Sequence, residues 1–163
     1  MKAHKIYLRQ QESVSDNSIS KRVIKKSVRT ALRIEKISIP CEVNVLVTDD
    51  TGIKKINRDF RGIDEPTDVL SFPLQEILPG SFEYDANEVD RDTNRLPLGD
   101  IILSADTLRK HAFDYGNTIN RETAYMVIHS VLHLLGYDHL DEGADKREMR
   151  VREKLILEKT GIK

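Results

Sequence analysis

Short runs of strand-forming residues alternate along this chain with longer stretches of helical periodicity, and that alternation limits the fold more than any other feature. Residues 5–10 read as a strand. From about 18 to 36, Val23, Ile24, Val28, Ala31 and Leu32 recur at helical spacing. Val43, Val45 and Val47 then alternate through a β-branched run at 42–48, and Thr48, Asp49 and Asp50 offer cap oxygens to a helix reaching about Phe60. Residues 69–73 and 100–103 give two more strands, the first closed by Pro73. The second is preceded by Gly99 and followed by Ser104, the expected cap of a helix over about 105–112. Two last helices run over about 118–135, stopped by Gly136, and about 141–159. Four strands and five helices in 163 residues suit one domain spanning 1–163, with too little chain for two.

Two charged segments interrupt this pattern. Residues 75–97 hold Pro79 and Gly80 and show no period; over 76–95 six acids face two bases, a local charge of −4. An acidic loop of that length is expected to be either a lid or disordered. The helix at 18–36 carries Lys21, Arg22, Lys25, Lys26, Arg29, Arg33 and Lys36 against Glu35, a balance of +6. A solvated face is the expected role, with an RNA-binding stripe as the alternative.

Composition bounds the remaining choices. With 39% apolar and 33% charged residues, the chain is composed like a globular protein. A net charge of −1 leaves any contact with RNA to local patches. No apolar core follows Lys2, Lys5 and Arg9, and eighteen apolar residues never run together, so a cytoplasmic protein without membrane attachment is expected. The one cysteine, Cys41, follows Pro40 at the head of a strand and reads as a buried, inert thiol.

Chemistry concentrates in residues 129–139, which hold three of the five histidines. His129 and His133 stand four apart, so a helix projects both from one face, one turn apart. Gly136 can take the left-handed conformation that ends a helix and turn the chain so that His139 returns towards that face. Three imidazoles leave one position of a tetrahedral zinc open to water, which marks a catalytic rather than a structural site. His4 and His111 lack such company and read as ordinary surface residues. The same spacing occurs in metzincin peptidases, but these place a basic glutamate directly after the first histidine, where this chain has Ser130.

A second constellation lies at 57–73, where a helix passes through a turn into a strand. Gly62, Asp64 and Pro66 are turn chemistry. Arg61 is not explained by the turn; its planar cationic fork suits a phosphate.

Three blocks, FRGIDEPTDVLSFP at 60–73, LGDIILS at 98–104 and HSVLHLLGYDH at 129–139, closely resemble the YbeY family of bacterial-type endoribonucleases. The resemblance implies an α+β domain with a small mixed sheet, here four-stranded with about five helices, and a metal site at the end of a helix. It implies one zinc ion on His129, His133 and His139 and an essential Arg61. It also implies single-strand-specific cleavage of RNA in maturing the 3′ end of small-subunit (16S) ribosomal RNA and in ribosome quality control. The partners implied are rRNA, the small ribosomal subunit, a ribosomal protein and an Era-type GTPase. The residue after the first histidine is commonly glycine in that family, and Ser130 is expected to stiffen the helix. Asp138 is a candidate to orient a histidine, and Ser71 reads as a strand serine without a task. Water and the ribose 2′-hydroxyl are both admissible nucleophiles. The alternatives are a metalloprotease and a ribosome-assembly factor with a structural metal, and nickel, cobalt or copper would also suit three imidazoles.

Overall fold

The computed structural model describes residues 3–138 and 143–163. His139 and the expected start of the last helix at Asp141 lie outside them. The elements are β1 (Lys5–Gln10), α1 (Lys21–Ile34), β2 (Cys41–Thr48), α2 (Asp50–Arg61), β3 (Val69–Pro73), β4 (Leu96–Ser104), α3 (Ala105–Tyr115), α4 (Ile119–Leu134) and α5 (Ala144–Thr160). A single 3-10 turn at Ala86–Glu88 sits between β3 and β4. The strands form one sheet in the order β1-β2-β4-β3; β1, β2 and β4 run parallel and β3 is antiparallel to β4. Among the described residues this is a mixed four-stranded sheet with five helices, an α+β fold.

Alternation in the strands builds the two faces. Val43, Val45 and Val47 of β2, with Ile101 and Leu103 of β4, enter a large core that also takes Val28 and Leu32 of α1, Val131 and Leu132 of α4, and Ile156 of α5. The residues between them face the other way, where Leu70 and Ile102 pack with Ile53 of α2 in a smaller core. Asp49 and Ser104 cap their helices as expected, and Ser20 and Thr118 do the same for α1 and α4; each accepts a backbone N–H of the first turn.

β4 departs from expectation by starting at Leu96 rather than Asp100. Pro97 and Gly99 read as strand breakers, yet both fit. Pro97 lies beyond the reach of β3, whose pairing stops at Gly99, and its carbonyl accepts from Gln75 Nε2 at 2.8 Å. No strand on that side asks for the missing N–H. The register against β2 shifts at Glu42/Val43, and there Gly99 has φ +144° and lies so close to the Phe72 carbonyl that a β-carbon would overlap it.

The acidic segment is tied to the body of the protein by the buried Ile77 and by Arg95, whose Nε donates to the Ala3 carbonyl at 3.1 Å. Two bridges, Leu78 with Ser81 and Asp90 with Arg95, brace the segment internally. The two histidines expected at the surface are placed otherwise. His4 is half-buried and accepts the Cys41 N–H at Nδ1, 3.1 Å away, with its pKa lowered by burial and by Arg29. His111 sits with Nδ1 3.8 Å from the buried Glu122 and 3.9 Å from Asp68. Glu35, expected on the basic face of α1, caps the helix and turns inward to Arg152 and Tyr137.

Candidate metal centre and its cavity

The two expected ligands of α4 meet. His129 and His133 lie one turn apart with their rings edge to face, and their Nε2 atoms approach to 3.0 Å. Each Nδ1 has an acceptor of its own. Glu153 Oε1 of α5 lies 2.6 Å from His129 Nδ1, and the Tyr137 carbonyl lies 2.9 Å from His133 Nδ1. With the hydrogen of each ring on Nδ1, donated to these acceptors, the two Nε2 lone pairs face each other. Lone pairs at that distance repel unless a cation lies between them, so this donor set fits a divalent metal.

The helix end sets the second of these contacts. Gly136, with φ +92°, turns the chain after α4, and Tyr137 N–H then bonds the Leu132 carbonyl at 3.0 Å. That turn swings the Tyr137 carbonyl back onto His133. A β-carbon at 136 would overlap the Ile77 carbonyl, so the acidic segment packs directly against the turn. Two of the three expected ligands are therefore described, and the third, His139, follows this turn outside the described residues.

A cavity of about 580 Å³ opens beside the pair, lined among others by Arg61, Ser71, His129, His133, Tyr137 and Asp138. Arg61 ends α2, and its exposed side chain crosses to β3, where Nη2 donates to the Ser71 carbonyl at 2.9 Å and the guanidinium lies 5.4 Å from the centre of the Phe72 ring. Only one of its five N–H donors is used there, and the cavity can take the others. Thus residues from the 60–73 block and the histidine block share one wall system. Asp138 is exposed on this cavity. The Nδ1 atoms of His129 and His133 are taken by Glu153 and the Tyr137 carbonyl.

The residue that sequence reasoning missed is Glu153. Its side chain is about 5% exposed, far below what a glutamate on a charged helix normally shows. A signal for it exists: Met149, Glu153, Ile156, Leu157 and Thr160 are the buried residues of α5, spaced as one helical stripe with an acid inside it. Next to it on α5, Arg152 holds Glu35 at 2.6 Å, and Glu35 also accepts from Tyr137 Oη at 2.8 Å. Burial first, then Glu35, pushes the Tyr137 phenol up to about 12. Tyr125 is likewise pushed up to about 12, by burial first and then by the charge of Glu153.

Ser130 is fully buried, and among the described residues its Oγ has no hydrogen-bond partner. It offers the cavity neither a carboxylate nor a hydroxyl. Cys41 is also fully buried, and burial pushes its thiol up to about 12, as an inert cysteine requires.

Several known proteins are similar to this chain over most of its length. A family model described as Endoribonuclease YbeY matches residues 5–161. An endoribonuclease YbeY of Clostridium kluyveri is 39% identical over 158 residues, covering 93% of this chain and 96% of that protein. One of Caldicellulosiruptor saccharolyticus is 41% identical over 147 residues, covering 90% of each. The solution structure of TM1509 from Thermotoga maritima superposes with a TM-score of 0.60 at 29% identity, over 95% of this chain and 88% of that one. The match runs through the sheet, α4 and α5 alike, and the chain belongs to the YbeY endoribonuclease family.

Proposed function

We propose that this protein is a metal-dependent, single-strand-specific endoribonuclease, with one zinc ion held by His129, His133 and His139. The observation that carries this is the pair of Nε2 atoms 3.0 Å apart, each aimed by an acceptor on its own Nδ1, in a cavity that also holds Arg61. Family membership supplies the substrate class, since the relatives are named endoribonucleases. The RNA acted on is the 3′ end of small-subunit ribosomal RNA, in maturation and in ribosome quality control. A ribosomal protein and an Era-type GTPase are its partners, and its place is the cytoplasm, where no disulfide is asked of Cys41.

When bound, zinc supplies Lewis acidity towards water or a phosphate oxygen. The chain supplies the rest. Glu153 and the Tyr137 carbonyl hold the two imidazoles in the ligating tautomer. Arg61 binds the scissile phosphate and offsets the charge that develops on it, held in position by the Ser71 carbonyl and the Phe72 ring. Ser130 leaves the peptidase alternative without its base.

The test is cleavage of a single-stranded RNA by the purified, zinc-loaded protein, with casein as a parallel substrate. RNA cleavage that stops on chelation and in His133→Ala is expected. Cleavage that persists after either treatment refutes the metal mechanism. Casein digestion would establish the peptidase, and silence in both assays with unfolding on chelation would establish a structural metal. An RNA with 2′-deoxyribose at the cleaved position separates the nucleophiles, since only attack by water survives it.

A further inference from the structure

The basic face of α1 is a groove rather than a convex stripe. Arg22, Lys26, Arg29 and Arg33 follow one another at helical spacing, Lys21 and Lys25 stand beside them, and Lys159 of α5 closes the far side. Thr30 is the one other residue lining it, so no acid tempers the charge. The volume is about 730 Å³. Among the described residues none of these seven bases forms an ion pair, whereas Arg58, Arg109, Lys110 and Arg152 all do. Like charges at this spacing repel and destabilise the helix that carries them, and together they give the groove a positive potential that the net charge of −1 hides.

The C-terminal end of α1, where the groove stops, is tied to the wall of the metal cavity. Arg33 stands two residues before Glu35, which accepts from Tyr137 Oη, and Tyr137 lines that cavity. From Lys21 to Arg33 the helix rises about 18 Å, so the charge forms a track and not a spot.

We propose that this groove is a docking surface for the phosphate backbone of single-stranded RNA, holding the chain of nucleotides to one side of the cavity where it is cut. The proposal rests on the endoribonuclease function above. A polyanion with evenly spaced charges matches the groove, because seven cationic residues line it and no apolar residue does. A protein interface would ask for a dry apolar centre, and a membrane-binding helix for apolar residues to insert; none of the exposed large apolar side chains is on α1.

The experiment measures binding of a labelled oligouridylate of about 16 nucleotides to the full-length, zinc-loaded protein across a range of salt. Arg22→Gln, Lys25→Gln and Lys26→Gln are combined in one variant, with Lys54→Gln, Lys55→Gln and Lys110→Gln combined as a charge-matched control. The groove variant is expected to bind more weakly at every salt concentration. The slope of log affinity against log salt should fall by about 0.7 for each phosphate that the groove no longer neutralises, about 2 in all. The control should bind as the unaltered protein does. Should the triple variant not fold, Lys26→Glu alone gives the same reading at an exposed position. Equal losses in groove and control variants, or none in either, overturn the proposal. So does a groove variant that loses binding to polyglutamate or anionic vesicles while keeping RNA. Cleavage with groove-independent binding overturns the groove and leaves the endoribonuclease function standing; groove-dependent binding without cleavage does the reverse.

Discussion

Glu153 offers the sharpest test of how the metal pair is built. Its Oε1 lies 2.6 Å from His129 Nδ1, a length typical of a charge-assisted bond, and its side chain is about 5% exposed. Carboxylates that orient a ligating histidine typically change metal affinity about 10–100-fold when removed. Glu153→Gln keeps an acceptor oxygen and loses only the charge, so it belongs at the lower end, about 10-fold or about 1.4 kcal/mol. Glu153→Leu leaves Nδ1–H without its acceptor and frees the ring to turn, and belongs near about 100-fold, about 2.7 kcal/mol. Competition of the purified protein with a chromophoric chelator measures both, and thermal unfolding monitored by circular dichroism confirms that α5 still packs. Equal zinc affinity for both variants and the unaltered protein would refute the orienting role. Equal losses for Gln and Leu would show that charge, rather than an acceptor, holds the ring.

Arg61→Ala should leave zinc affinity and folding intact, since the side chain is exposed and gives up one hydrogen bond and its packing on the Phe72 ring, yet lower RNA cleavage by about 10²–10³. Arg61→Lys should recover little of it, because an ammonium cannot reach both the Ser71 carbonyl and a phosphate as a planar fork does; full recovery would argue against bidentate binding. Ser130→Ala should stabilise the protein by about 1 kcal/mol, by removing a buried hydroxyl without a partner and by raising helix propensity, and a lower urea midpoint would show that Oγ has found a bond. Stability should fall as pH rises above about 9. Cys41, Tyr125 and Tyr137 are all pushed up to about 12 in the folded chain, so the unfolded chain releases these protons first and the folded state binds more of them. Their contribution is complete below the ordinary thiol and phenol range and is lost as pH climbs to about 12. Tyr137→Phe should flatten this loss in urea titrations repeated between neutral and alkaline pH, and an unchanged slope would exclude Tyr137 as a contributor.

Much of the fold was legible because local pattern and tertiary position agree. The valines of β2 alternate and are buried, and the oxygens of Asp49 and Ser104 cap the helices they precede. The pairing of His129 with His133 was legible for the same reason, being a property of one helix. What the sequence hid depends on distant partners. Pro97 and Gly99 carry strong local signals against a strand, and only the end of β3 and the bulge opposite Glu42 make them acceptable. Glu153 lies in a helix rich in charges of both signs, and its distinction is burial, which periodicity shows only once the stripe from Met149 to Thr160 is drawn. His111 and Glu35 were misplaced likewise, since their partners Glu122, Asp68 and Arg152 are far along the chain.

The two ligating rings are thus aimed by different parts of the molecule, and this decides which perturbations reach them. His129 depends on α5 staying docked, and Arg152 helps to dock it by holding Glu35 at the end of α1. His133 depends on the turn at Gly136, which is pressed against the Ile77 carbonyl, so the acidic segment bears on the metal pair without supplying a ligand among its described residues. A change at Ile77 that shifts its backbone has to move the Tyr137 carbonyl before it moves any histidine, and a change at Arg152 has to loosen Glu153 first. Both should therefore weaken metal binding while leaving α4 itself helical, because the buried stripe of α4, from Ala124 through Leu134, packs independently of either ring.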